Sequence, residues 1–168
     1  MDPTAINLII LDVDGVLTDG RVTTSPDGDV AKGFHVHDGC ALKLWQRSGG
    51  KVAILSGREG RQITQRASEL GIEWVRMGVV NKSKVYTELL ALADCEDQAV
   101  AYVGDDLPDL GPMSRCGIAV AVANAVGPVK RAADYVTRRG GGSGAVAEVV
   151  EWLLRKKGLW SREALLEM

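Results

Sequence analysis

Residues 8–20 read Leu-Ile-Ile-Leu-Asp-Val-Asp-Gly-Val-Leu-Thr-Asp-Gly, and no other stretch constrains the fold as much. An apolar run over residues 6–11, broken only by Asn7, ends in Asp12, Asp14 and Gly15. A short apolar run without alternation, bounded by polar turn residues, predicts a strand buried on both faces. Such strands belong to parallel sheets, which bind ligands at the carboxyl ends of their strands. Asp12 and Asp14 would emerge at one such end. Like charges held side by side need a proton or a cation, and a hard divalent ion with oxygen ligands, such as magnesium, suits two carboxylates best.

The same grammar recurs along the chain. Strands are predicted at 51–55, 72–76, 99–103, 118–123 and 135–137, and helices at 38–48, 61–70, 82–93, 107–116, from Pro128, and at 143–157. The last helix is the clearest, with Val146, Val149, Val150, Leu153 and Leu154 at helical spacing and Gly158 as its stop. Strands alternating with helices imply a doubly wound α/β fold with a mainly parallel sheet. Residues 20–36 break the alternation: Ser25-Pro26-Asp27-Gly28 between two β-prone runs predicts a hairpin. A lone hairpin is marginal in water and has to pack on something. No repeat or linker is evident, so one domain over residues 1–168 is expected, with a tail from 158.

Composition narrows the function. Among 168 residues, 46% hydrophobic and 25% charged describe an ordinary globular chain. A net charge of −2 argues against nucleic-acid binding, and no apolar stretch has membrane-spanning length. The N-terminus lacks the pattern of a signal peptide. Cys40, Cys95 and Cys116 show no paired spacing and read as reduced thiols of a cytoplasmic protein.

Polar residues close three of the predicted strands: Asp12 with Asp14, then Ser56, then Asp105 with Asp106. In one parallel sheet these ends share an edge, and Asp109, on the turn after Asp106, can join them. An acidic cluster around a cation, with a hydroxyl and nearby cationic side chains, suits a phosphate group. Taken singly, the signals are weaker: Ser56-Gly57-Arg58 is an ordinary loop after a strand, Lys84 competes with Lys82, and Asp109 fits a simple turn cap. His35 and His37 have no third ligand and predict no metal site. Residues 140–144, Gly-Gly-Gly-Ser-Gly before the last helix, read equally as an anion site at a helix N-terminus or as a flexible connector. Arg138 and Arg139 beside them read as solvated charge or as contacts for a sugar carboxylate.

The stretch from Asp12 to Gly20 resembles the first motif of the haloacid dehalogenase superfamily. The longer string resembles its small capless phosphatases of 3-deoxy-D-manno-octulosonate 8-phosphate and related nine-carbon sugar acids. The other motifs match in order: Ser56, Lys82 and the run Gly104-Asp105-Asp106-Leu107-Pro108-Asp109. The resemblance implies Asp12 as nucleophile, Asp14 as acid and base, Ser56 on the phosphoryl group and Lys82 offsetting its charge. Magnesium would be held by Asp12, Asp14 (through its main-chain carbonyl) and Asp105, with Asp106 and Asp109 behind them. Gly57, Arg58 and Asp38, the last in the segment Phe34 to Gly39, would face the substrate, although His37 stands where relatives often carry arginine. The resemblance further implies a homotetramer joined through the hairpin, the alternative being a turn ornament on a monomer. The C-terminal tail would reach a neighbouring site, with Trp160 as an anchor.

Within the resembled family, Arg58 favours the eight-carbon acid, whose product feeds lipopolysaccharide synthesis in the bacterial cytoplasm. An acidic residue there would favour 2-keto-3-deoxynononate 9-phosphate. The nine-carbon and N-acylneuraminate 9-phosphatases form the alternative, and a tetramerising module without turnover forms another. The complete set Asp12, Asp14, Ser56, Lys82 and Asp105 argues against the module.

Overall fold

A computed structural model describes residues 2–25, 28–162 and 166, the side chains of 25 and 28–30 aside. Its centre is the strand that opens the chain. β1 (Leu8–Leu11) is fully buried, as its sequence requires. It pairs in parallel with β4 (Lys51–Leu55) on one side and β6 (Val100–Gly104) on the other, so that Leu11 stands opposite both Ile54 and Val103. β5 (Trp74–Arg76) extends the sheet beyond β4, while β7 (Ile118–Ala121) and β8 (Tyr135–Val136) extend it beyond β6. The order is β5-β4-β1-β6-β7-β8, every pairing parallel. The chain therefore runs outward from β1 in one direction, then returns to build the other half. That reversal opens a crevice at the carboxyl ends of β1 and β6, where Asp12, Asp14, Asp105 and Asp106 lie.

The helices cover both faces. α1 (Val36–Arg47) packs on α6 (Ala145–Lys156) and touches α2 (Arg61–Leu70). On the opposite face, α3 (Lys82–Ala93) meets α4 (Leu110–Met113), which meets α5 (Gly127–Ala132). The five apolar positions expected to face inward on α6 are all fully buried. The expected helix over 107–116 resolves into a 3-10 turn, Leu107–Asp109, and the short α4, because Pro108 and Pro112 interrupt the ladder.

The hairpin stands apart. Among the described residues, β2 (Thr23–Ser25) and β3 (Gly28–Ala31) pair only with each other, Thr24 opposite Asp29. Of its expected turn, Pro26 and Asp27 lie outside the described residues, as do 163–165, 167 and 168 of the tail. Trp160 lies under the Arg155 guanidinium, 5.5 Å from ring centre to cation. No helix among the described residues is long and apolar enough to cross a membrane.

Candidate active site

Asp12 extends β1 by one step, its amide donating to Val103 O at 3.1 Å. The chain then turns back on itself: the amides of Val16, Leu17 and Thr18 all donate to Val13 O. Thr18 Oγ1 accepts from the amides of Gly15 and Gly20, each at 3.3 Å. Gly15 is required twice over. Its φ of 97° is disfavoured for any side chain, and a β-carbon there would collide with the Asp105 carboxylate.

A cavity of about 340 Å³ collects Asp12, Asp14, Gly57, Arg58, Lys82 and Asp105. A wider one of about 390 Å³, lined by Arg138, Arg139 and Trp152, lies between β8 and α6 and holds none of the strand-end acids. The smaller cavity is the candidate site because the reactive groups converge there. The two arginines do not line it.

Lys82 opens α3 and is 5% exposed, its ammonium 2.9 Å from Asp12 Oδ1 and 2.7 Å from Asp109 Oδ1. Lys84 is exposed, and its amide donates to the Asn81 side chain. The choice between the two lysines therefore falls to Lys82. Asp109 is wholly buried and saturated. Its Oδ1 also accepts from Tyr102 Oη at 2.8 Å, and its Oδ2 accepts from the amides of Asp105 and Asp106. This carboxylate is a bracket for Lys82 and the Asp105 backbone. Asp106, for its part, caps the 3-10 turn through Leu107 N.

The electrostatics of the cluster call for a cation. Burial pushes the Asp12 carboxyl up to about 6, with Asp109 adding to the rise and Lys82 opposing it. Burial, then Asp12, Asp109 and Asp106, push Asp105 up to about 8. Desolvation works against the Lys82 charge, yet Asp12 and Asp109 outweigh it and raise its pKa. Asp12, Asp105 and Asp109 each offer an oxygen within 4.8 Å of the others. Asp105 Oδ1 is buried with no hydrogen-bond partner, an orphan that a hard metal ion would satisfy. With Asp109 already saturated, the donors left for such an ion are Asp12 and Asp105.

Ser56 follows β4, 1% exposed, its Oγ accepting from Arg58 N at 3.2 Å. Gly57 and Arg58 line the cavity, with Arg58 Nε 4.0 Å from Asp14 Oδ2. Asp38 departs from its expected place. It is 1% exposed, does not line this cavity, and accepts from Ala147 N at 2.8 Å. Burial raises its pKa, opposed by the amides of Ala147 and Gly144. Asp38 is thus the anion at the N-terminus of α6, supplied by the chain itself.

That finding also corrects both readings of residues 140–144. Gly141 N donates to Asn124 Oδ1 at 2.6 Å, Gly142 N to Val16 O, and Ser143 N to Gly140 O. Asn124 Nδ2 in turn donates to Gly15 O at 2.9 Å. The stretch forms a buttress behind the Asp12–Gly20 turn, with the amides of Gly141, Gly142 and Ser143 already committed to internal acceptors. A β-carbon on Gly141 would strike Gly15 O. His35 Nδ1 accepts from His37 N at 3.3 Å, which caps the start of α1. Sequence reasoning missed Tyr102, Asn124 and Lys32. Tyr102 sits in an apolar strand, where a hydroxyl three residues before Asp105 was the available signal. Asn124 and Lys32 act through contacts that no local pattern announces.

Comparison with known proteins agrees with this geometry. The haloacid dehalogenase-like hydrolase family matches residues 77–150. The 3-deoxy-D-manno-octulosonate 8-phosphate phosphatase KdsC of Escherichia coli (strain K12) is 42% identical over 153 residues, covering 91% of this chain and 81% of the relative. The cobalt-bound phosphatase of the same substrate from Haemophilus influenzae superposes with a TM-score of 0.95 at 35% identity, covering 99% of both chains. The Moraxella catarrhalis enzyme, crystallised with magnesium, phosphate and KDO, gives a TM-score of 0.93 at 34% identity, covering 99% of this chain and 94% of that one. On the fold, the strand-end cluster and this likeness along nearly its whole length, the chain belongs to the 3-deoxy-D-manno-octulosonate 8-phosphate phosphatase family of haloacid dehalogenase-like hydrolases.

Proposed function

We propose that the chain, acting as one catalytic domain, hydrolyses 3-deoxy-D-manno-octulosonate 8-phosphate to the free sugar acid and phosphate. The observation that carries this reading is Lys82 bridging Asp12 and Asp109 beside Asp105, which has an orphan oxygen. Asp12 attacks phosphorus and the sugar oxygen leaves, giving an aspartyl-phosphate. Asp14 gives its proton to the departing oxygen, then removes one from the water that hydrolyses the intermediate. Lys82 holds Asp12 in place and offsets the charge that gathers there. Ser56, at the neighbouring strand end, contacts the phosphoryl group. Magnesium, held by Asp12, Asp105 and the Asp14 carbonyl, would neutralise the phosphate oxygens and so ease the approach of the anionic nucleophile to phosphorus.

Arg58 on the cavity wall supports the eight-carbon acid as substrate. The hairpin's isolation from the main sheet supports assembly as a homotetramer through it. The free thiols Cys40, Cys95 and Cys116 support a cytoplasmic enzyme.

The test is phosphate release from a panel of 2-keto-3-deoxy sugar acid phosphates, with magnesium and with chelator, by wild type and Asp12→Asn. Magnesium-dependent turnover of the eight-carbon ester, lost in Asp12→Asn, is the expected result. Preference for a nine-carbon ester would keep the mechanism and overturn the argument from Arg58. A folded protein that releases phosphate from none of them would overturn the proposal.

A further inference from the structure

Lys32 follows the last strand of the hairpin, far in sequence from every motif, yet its side chain is only 4% exposed. Its ammonium is paired with Asp14 Oδ1. The stem passes the N-terminus of α2, where Cε lies 3.8 Å from the place a β-carbon on Gly60 would occupy. A lysine with so little of its side chain in water gives up the conformational freedom that keeps most lysines exposed. Such a placement implies a specific partner, and Asp14 is that partner.

The two oxygens of Asp14 are treated differently. Oδ1 is held by Lys32, whereas Oδ2 takes no hydrogen bond and lies 4.0 Å from Arg58 Nε. A carboxylate pinned at one oxygen cannot swing about its last torsion, so the other oxygen, buried and unpartnered, is held in place beside the cavity that Asp14 lines. We infer that Lys32 is a positioning residue for Asp14: it anchors Oδ1 and so assigns proton transfer to Oδ2. This rests on the role proposed above for Asp14. In the first half-reaction the proton leaves Oδ2 for the sugar oxygen as the phosphorus–oxygen bond breaks. In the second, Oδ2 takes a proton from water as that water's oxygen bonds to phosphorus and the Asp12 carboxylate departs.

The consequence is that the hairpin supplies part of the catalytic apparatus. Lys32→Met keeps an unbranched apolar stem and removes the ammonium, and Lys32→Arg keeps the charge. Steady-state kinetics on the sugar acid phosphate, with mass in solution and melting temperature measured in parallel, tests the inference. The expected result for Lys32→Met is a kcat lower by about 10- to 100-fold, part of the 10²–10⁴ that acid–base catalysis contributes. KM should change little, and Lys32→Arg should recover much of the loss. A raised KM at unchanged kcat would make Lys32 a substrate contact and overturn the inference. So would wild-type kinetics in a folded Lys32→Met protein, or a loss that tracks dissociation of the assembly. If Lys32→Met does not fold, the same readings are made on Lys32→Gln. Absence of turnover by the wild type is a separate outcome, which overturns the proposed function on which the inference rests.

Discussion

At the scale of single residues, the site is a contest between burial and charge. Asp12 and Asp105 both bind protons more readily in the folded chain than an ordinary carboxyl does, burial being the leading cause. Between about pH 4 and pH 8 the metal-free folded state therefore holds more protons than the unfolded chain, and its stability falls as pH rises through that window. A divalent ion replaces those protons. The rise in melting temperature on adding magnesium should accordingly be larger at pH 8 than at pH 6, and equal shifts at the two values would contradict the assignment. Tyr102 offers a second test. Its hydroxyl, whose proton is held by burial first and then by the charge of Asp109, is one of four donors to that carboxylate. Tyr102→Phe should cost about 1 kcal/mol in urea denaturation and leave activity within a few-fold of wild type.

At the scale of elements, the turn after β1 and the glycines behind it behave as one piece. Gly141→Ala would press on Gly15 O, and through it on the position of Asp14 and the Asp105 contact. The expected outcome is a fall in kcat out of proportion to any fall in melting temperature, read from both measurements on the same preparation. Asn124→Ala would leave Gly15 O and Gly141 N without their partner, which costs about 1–3 kcal/mol each where such groups are buried. Here the sequence was only half legible. β4, α2 and α3 take the bounds expected from their apolar spacing. Residues 140–144 do not, because a glycine run carries no periodicity and its purpose lies in what it packs against. Asp38 misled for a related reason. An acid beside a glycine shortly after a hairpin fits a substrate contact until α6, more than a hundred residues later, is placed over it.

At the scale of the whole molecule, the fold class and the meeting of the acids were legible because parallel strands share an edge. The assembly was not, since periodicity within one chain says nothing of a second. If the hairpin joins four copies, replacing Thr24, an exposed strand residue paired with Asp29, by Pro should reduce the mass seen by light scattering from four chains to one. Activity should fall with it through Lys32. The central place of β1 has one more consequence, and it concerns time. Its neighbours in the sheet begin at residues 51 and 100, so during synthesis the opening strand waits on one side until most of the polypeptide exists. Asp12 and Asp105 cannot meet before β6 docks, and long-range pairings of this kind form slowly. Affinity for the metal therefore arrives late, as a report that the sheet has closed, and a ribosome-bound fragment ending before β6 carries the nucleophile without the means to use it.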